Sequence, residues 1–337
     1  MRNTAVWAGL AIGACTMGAL TTAVLRAAPL KAAALEKGGA EGASGTWSIE
    51  PTRWKTDRRT GEAVQLTLRG RSRGGHWDNS MPVSLSDLRG LTAEQMRSGG
   101  PVAFQMVRDA GTLDLNGSFR SDTGAGHFTF TASTEYLAAL KDMGYGPVEP
   151  GQVFSLALHD VSRSFMKELA DLGYPRLPLD DLVSFRIHGV SAEMVRSLQE
   201  LGYKHPAADD LVSLRIHGAT PEFVRELKAL GYEPPPSMDD LVSMKIHGVT
   251  GEMVRALQQM GYGKVAVDDL VSMRIHGATP EFVSDLKQLG YENVPVDDLV
   301  SMKIHGVSPD FVRRANQRSG HRLPVDDLVS MRIHGQD

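Results

Sequence analysis

From residue 180 onward the segment Asp-Asp-Leu-Val-Ser returns at Asp180, Asp209, Asp239, Asp268, Asp297 and Asp326, in steps of 29 or 30 residues. A fixed period of this length permits few folds. A unit so short cannot bury its own apolar face, so neighbouring units must stack into a solenoid. Other residues keep the same phase. Ile-His-Gly carries His188, His217, His247, His276, His305 and His334, and a degenerate copy places His159 29 residues before His188. Gly-Tyr recurs at Tyr145, Tyr174, Tyr203, Tyr232, Tyr262 and Tyr291, so six of the seven tyrosines occupy one repeat position.

Local signals predict two short helices per unit. The first opens at the Asp pair, acting as N-cap and first-turn acid, and closes at His-Gly, where glycine takes the left-handed position. The second opens at Ser or Thr, often followed by Pro as in Thr220-Pro221. It carries Phe223, Val224, Leu227 and Leu230 at helical spacing and closes at Leu-Gly-Tyr. Strict alternation over 183–188 leaves a strand-plus-helix unit open as the alternative, while the acid pair and terminal glycine favour helix. A longer period overlies the first: residues 209–232 and 268–291 agree at 20 of 24 positions, but 209–232 and 239–262 agree at 15. Glu-Met units alternate with Pro-Glu-Phe units, which marks duplication of a 59-residue pair. The last pair is looser, with Gly320-His321 replacing Gly-Tyr, and leaves an open end that calls for a cap or a partner.

Ahead of the repeats the pattern is different. Val64, Leu66 and Leu68, then Val102, Phe104 and Met106, then Leu113 and Leu115, then Phe128 and Phe130 alternate with polar residues, the signature of half-buried strands. Five or six antiparallel strands in a small sandwich or curled sheet are expected, with a short helix near 91–98. Asn116-Gly117 reads as a hairpin turn, Gly124-Ala125-Gly126-His127 as another turn, and His76-Trp77 as a loop tip. Asp114, Asn116 and Ser118 have calcium-loop spacing, but Phe119 stands where the loop needs glycine and no glutamate follows, so a turn is preferred.

The N-terminus is apolar. Residues 4–25 carry no charge, Arg2 precedes them, and Ala32-Ala33-Ala34 follow, which describes an export signal cleaved after Ala34. An uncleaved membrane anchor and a lipid-modified Cys15 remain open alternatives. All three place the remainder outside the cytoplasm, in the periplasm or anchored to the inner membrane facing it. Glu36 to Gly45 reads as a flexible tether. The resulting organisation is a signal or anchor at 1–34, a linker at 35–45, a β-rich domain at 46–131 and a helical repeat domain at 132–337. The fold class is thus α+β: a small antiparallel β domain followed by an α-solenoid of helix pairs about 29 residues long.

Charge and motifs narrow the function. The net charge is −4, and beyond residue 34 it is −7, from 33 basic against 40 acidic residues. Nucleic-acid binders usually show a strongly basic domain or stripe. Cys15 is the single cysteine, so a disulfide framework and a cysteine zinc site are excluded. No zinc-protease, serine-elbow or phosphate-loop motif is present. Helix-packing distances of about 8–10 Å separate the repeated histidines, too far for one metal. No cofactor or metal site is expected, and no enzyme. The candidate partner-binding surface is the basic column Arg186, Arg215, Lys245, Arg274 and Lys303, with Tyr203, Tyr232, Tyr262 and Tyr291. A solvated stripe and helix-end packing are the plainer explanations of the same residues.

The phrases Asp-Asp-Leu-Val-Ser-Met-Arg-Ile-His-Gly and Thr-Pro-Glu-Phe-Val-Arg-Glu-Leu-Lys-Ala-Leu-Gly-Tyr resemble repeats that follow the peptidase domain in BlaR-type sensor peptidases of family M56. The resemblance covers about residues 151–337. Gly45-Thr46-Trp47 and Arg108-Asp109-Ala110-Gly111-Thr112 are similar to a companion module of that group. The zinc motif and membrane helices of those peptidases are absent, so the resemblance implies an accessory extracytoplasmic role in the bacterial envelope and no peptidase activity. The expected function is an exported protein- or peptide-binding scaffold, with membrane contact through the N-terminal segment. The alternatives are a regulatory subunit of a membrane peptidase or signalling protein, and an enzyme with its site in the β domain.

Overall fold

The computed structural model describes residues 43–51, 63–72 and 75–335. The apolar N-terminal segment and nearly all of the linker lie outside the described residues.

Seven strands form one antiparallel sheet: β1 Ser44–Pro51, β2 Ala63–Ser72, β3 Gly75–Ser84, β4 Leu88–Arg89, β5 Gly100–Arg108, β6 Gly111–Arg120 and β7 Thr123–Ala132. Their order is β3-β2-β1-β7-β6-β5-β4. The alternating apolar residues all face one side, pairing Leu66 with Ile49, Leu113 with Phe130 and Leu115 with Phe104. The sheet curls around them. β1 and β5 stand three strand spacings apart, about 14 Å in a flat sheet, yet the Trp47 and Phe104 rings meet at 5.2 Å. One curled sheet therefore serves instead of a sandwich, and it has seven strands where five or six were expected.

Glycines make room for this curl. A Cβ on Gly117 would stand 2.6 Å from the Trp47 ring and 2.2 Å from the Ala125 carbonyl oxygen, and one on Gly124 would stand 2.6 Å from the Phe119 ring. This corrects three expectations. Asn116-Gly117 lies within β6, where Trp47 Nε1 donates to the Asn116 carbonyl at 3.2 Å. Gly124 to His127 lies within β7, and His76-Trp77 within β3. Asp114, Asn116 and Ser118 alternate along β6 and sit in no turn. The β6–β7 turn is at Ser121-Asp122, both with positive φ (50° and 65°) and neither a glycine. The expected short helix is α1, Ala93–Ser98, closed by a capping box between Thr92 and Gln95.

The repeats fold as helix pairs in two layers. The inner layer is α3 Pro150–Leu158, α5 Leu179–His188, α7 Ala208–His217, α9 Met238–Ile246, α11 Val267–His276, α13 Val296–Ile304 and α15 Val325–Ile333. The outer layer is α2 Thr134–Asp142, α4 Arg163–Asp171, α6 Ala192–Glu200, α8 Pro221–Ala229, α10 Gly251–Gln259, α12 Pro280–Gln288 and α14 Pro309–Ser319. Inner helices pack on inner, outer on outer. The inner ones are in more extensive contact.

Residues 183–188 are helical, so the strand alternative does not hold. The Asp pair is not the N-cap. Pro178 caps α5 and Ala207 caps α7 without a side-chain bond, and the acids occupy the second and third helical positions, facing the positive end of the helix dipole. Outer helices are capped as expected: the Thr220 hydroxyl accepts from the Phe223 amide, and Pro221 follows it. At the other end Tyr232 N donates to Leu227 O and Gly231 N to Lys228 O, a Schellman closure with Gly231 at φ 91°.

The first inner helix joins the two parts. α3 packs on β6 and β7, and its Phe154 ring stacks on Phe128 at 6.0 Å while touching Trp77 and Phe130. The β5–β6 hairpin, which carries Arg108-Asp109-Ala110-Gly111, grips the first pair. Asp109 accepts from the Arg163 backbone amide at 2.7 Å, capping α4 from another domain, and pairs with the Arg163 guanidinium. Arg108 reaches Asp87 at 2.8 Å and Asp160 at 3.9 Å.

Candidate partner-binding face

The basic column lies at the C-terminal ends of the inner helices and is held within the chain. Each side chain leans back over the preceding unit. Arg186, Lys245 and Lys303 stand over Phe165, Phe223 and Phe282, 4.8 to 5.3 Å from the ring centroids. Arg215 and Arg274 follow Glu-Met units, which offer no ring, and donate Nε to the carbonyls of His188 and His247 at 3.3 Å. Arg186 also pairs with Asp160 at 2.7 Å. Asp160 stands at the left-handed position (φ 54°) that glycine fills in later units.

The tyrosines tie one inter-unit loop to the next. Tyr203, Tyr232, Tyr262 and Tyr291 donate their hydroxyls to the carbonyls of Pro236, Val265, Val294 and Leu323, 32 or 33 residues ahead. Tyr232 and Tyr291 are buried, and Tyr203 and Tyr262 half-buried. The Phe–Met alternation thus has a counterpart in tyrosine burial. Burial pushes the Tyr203 phenol up to about 12, with Asp240 adding to it.

A different column is open to solvent. Ile187, Ile216, Ile246, Ile275, Ile304 and Ile333 are 44–57% exposed, and among the described residues Val107 is the one other large apolar side chain so exposed. They share one face. Along α5 the spacing 180, 184, 187, 188 puts Asp180, Ser184, Ile187 and His188 on the side away from Leu182 and Phe185, which are buried, with the buried Val183 at its border one turn before Ile187. Six units repeat this face. In the first unit the equivalent of Ile187 is Leu158, which is buried one helical turn from Phe154 on the helix that packs against the sheet. The open column therefore continues a surface whose first rung is already covered. The alternating Val-Ser-Phe-Arg-Ile-His string, placed on a helical wheel, would have exposed an isoleucine on the polar side.

The N-terminal rim of this face is acidic. Six aspartate pairs line it, and the second acid of one unit faces the first of the next. Burial, then Asp209 and Asp180, push the Asp181 carboxyl up; Asp269 and Asp298 are raised the same way, by burial and then by Asp297 and Asp326. Among the described residues no three His, Cys, Asp or Glu side chains converge to hold a metal ion. Nor is any helix there long and apolar enough to cross a membrane.

A cavity of about 430 Å³ opens between α2 and α4, lined by Ala139, Met143, Tyr145, Met166, Ala170 and Tyr174. It exists because Ala170 stands where later units carry a long side chain: Gln199 and Gln258 bridge the same gap, donating to Leu172 O and Leu230 O. At its rim Arg163 pairs with Asp109 and Lys167 with Asp171. Compared with known protein families and with curated proteins, the chain matches none.

Proposed function

We propose that the protein is an exported, non-enzymatic binding module of the bacterial envelope that receives a segment of another protein along the inner face of its helical array. The carrying observation is the register of six half-exposed isoleucines. Scattered exposed apolar residues need no explanation, whereas a contiguous apolar strip rimmed by polar groups marks an interaction site. Burying isoleucine in the fold is worth about 1.5–3 kcal/mol, and six units decline that gain at one position. The β domain supplies a fixed start for the strip. The uncharged N-terminal segment and the basic residue before it support export.

The test replaces Ile216, Ile246 and Ile275 together by Ser in the full chain. These side chains face solvent, so the helical circular dichroism is expected to stay at the wild-type level. Crosslinking in envelope fractions of the native host is expected to recover a partner with the wild type and at least about tenfold less with the variant. Equal recovery by both proteins would refute the reading.

A further inference from the structure

The geometry of the strip limits what can lie on it. Consecutive inner helices are about 8–10 Å apart, so the isoleucines form a ladder with that step. An extended strand returns a side chain to the same face every second residue, about 6.7 Å, and falls out of phase by the second rung. A polyproline II chain has three residues per turn at about 3.1 Å each, so it returns one every 9.3 Å or so. It also needs no hydrogen bonds from a neighbour, and helices offer it none.

The transverse direction carries charge information. From Asp180 to Ile187 is seven residues along the helix, about 10 Å. Between these rows lies only the small Ser184 and its counterparts, a floor one peptide wide. Beyond the isoleucines the basic column is engaged with the preceding unit's rings and carbonyls, and the histidines stand at the same helix ends. Of the loop cations before the inner helices, Lys264 lies over Tyr232, Arg322 over Tyr291, and Arg176 donates to Gly144 O, while Lys204 is exposed. The twelve aspartates of this row outnumber the six cations of the basic column and make no ion pair among the described residues, which leaves the face acidic on balance. Within it the Asp181, Asp269 and Asp298 carboxyls are raised by burial first and by neighbouring aspartates second, and a cationic occupant relieves that second cause.

We infer that the face takes a basic segment of another protein in polyproline II conformation, with an apolar side chain at every third residue on the isoleucines and lysine or arginine toward the aspartates. This rests on the reading of the inner face as the binding surface and adds the occupant's chemistry. Two features carry it: the match between ladder step and helix pitch, and the continuity of the strip with the surface that α3 already presents to the sheet. Six rungs accommodate about 16–18 residues.

The experiment measures fluorescence anisotropy of labelled peptides against the full chain. Six repeats of Leu-Pro-Lys are expected to bind, with affinity falling as salt rises. Six repeats of Leu-Pro-Glu, and an equally long alternating Leu-Lys peptide, are expected to bind at least about tenfold more weakly. Two variants accompany them: Asp210→Asn, Asp240→Asn and Asp269→Asn combined, and the triple isoleucine-to-serine variant. Each is expected to lose at least about tenfold in affinity while keeping its helical signal. Equal binding of Leu-Pro-Glu would overturn the charge assignment, and equal binding of Leu-Lys the conformation. If no peptide binds but the isoleucine variant still loses its crosslinked partner, the occupant is wrong and the face is right. If the isoleucine variant loses nothing, both fall.

Discussion

In the β domain, Trp47 donates to a carbonyl 69 residues away, and its ring closes on side chains from strands across a curled sheet. In the array the recurring ties are the Tyr hydroxyls, which reach 32 or 33 residues ahead and repeat from Tyr145 to Tyr291. The first is a closed core in which one wrong atom is felt everywhere. The second is a sum of similar neighbour interactions, in which damage stays local. Phe154 is where one kind of packing becomes the other.

The comparison can be broken hardest at that ring. Phe154→Ala is expected to cost about 3–5 kcal/mol and to split urea unfolding into two transitions. No tryptophan lies in the array, and Trp47 and Trp77 stand in the sheet, so tryptophan fluorescence follows the β domain and far-ultraviolet circular dichroism the helices. A single coincident transition in the variant would show that the junction does not depend on this ring. Next in size is Gly117→Ala, expected to cost about 3 kcal/mol because the new Cβ meets both the Trp47 ring and the Ala125 carbonyl. Its effect is expected in the fluorescence transition first.

Smaller effects sharpen the picture of the array. Tyr232→Phe leaves the Val265 carbonyl buried without its donor and is expected to cost about 1.5 kcal/mol, against about 0.5 for the half-buried Tyr203→Phe. Equal costs would mean that the two-unit alternation has no energetic counterpart. Acidification is expected to act in opposite directions on the junction and on the raised aspartates of the array. The Arg163 guanidinium holds the Asp109 carboxyl below its ordinary value. Its contribution is complete above the unfolded carboxylate range, about 4, and is lost as pH falls through the folded value. Asp181, Asp269 and Asp298 are raised. These three groups therefore contribute stability to the array as pH falls through their folded values, the gain being complete below the unfolded one, whereas Glu222 and Glu281, held low by first-turn hydrogen bonds, lose theirs. Urea midpoints in the Phe154→Ala background, read by the two signals between pH 6 and pH 3, check both signs.

The two regions also differed in how plainly the sequence announced them. Asp180 and its five copies fixed the period, and Thr220-Pro221 and Gly231-Tyr232 marked helix ends that the structure has, because those signals act within a few residues. Asn116-Gly117 misled because its glycine answers to Trp47, a residue no local rule connects to it. Ser121-Asp122, which makes the turn, carries no glycine to announce it. On the candidate face, the charged and aromatic residues drew the eye, yet Arg215 and Tyr232 are occupied by the chain's own carbonyls. Ile187 is not among the candidates because alternation over 183–188, not helical phase, is the pattern visible there. The grip of Arg108 and Asp109 on the first pair was invisible for the same reason as Trp47: its partners are remote in sequence.

The carboxylate of Asp109 on the Arg163 amide also bears on the order of events when the chain folds. A short helix forms reluctantly because its first turn fixes several residues for a single bond. Here a finished sheet holds out an acceptor and an aromatic seat, so α3 and α4 meet a template rather than solvent, and each later pair meets the one before it. The array is then expected to grow in one direction from that seed, as a thread zips from a fixed end. Amide exchange that quickens steadily from α4 toward α14 would be the trace such growth leaves in the native protein.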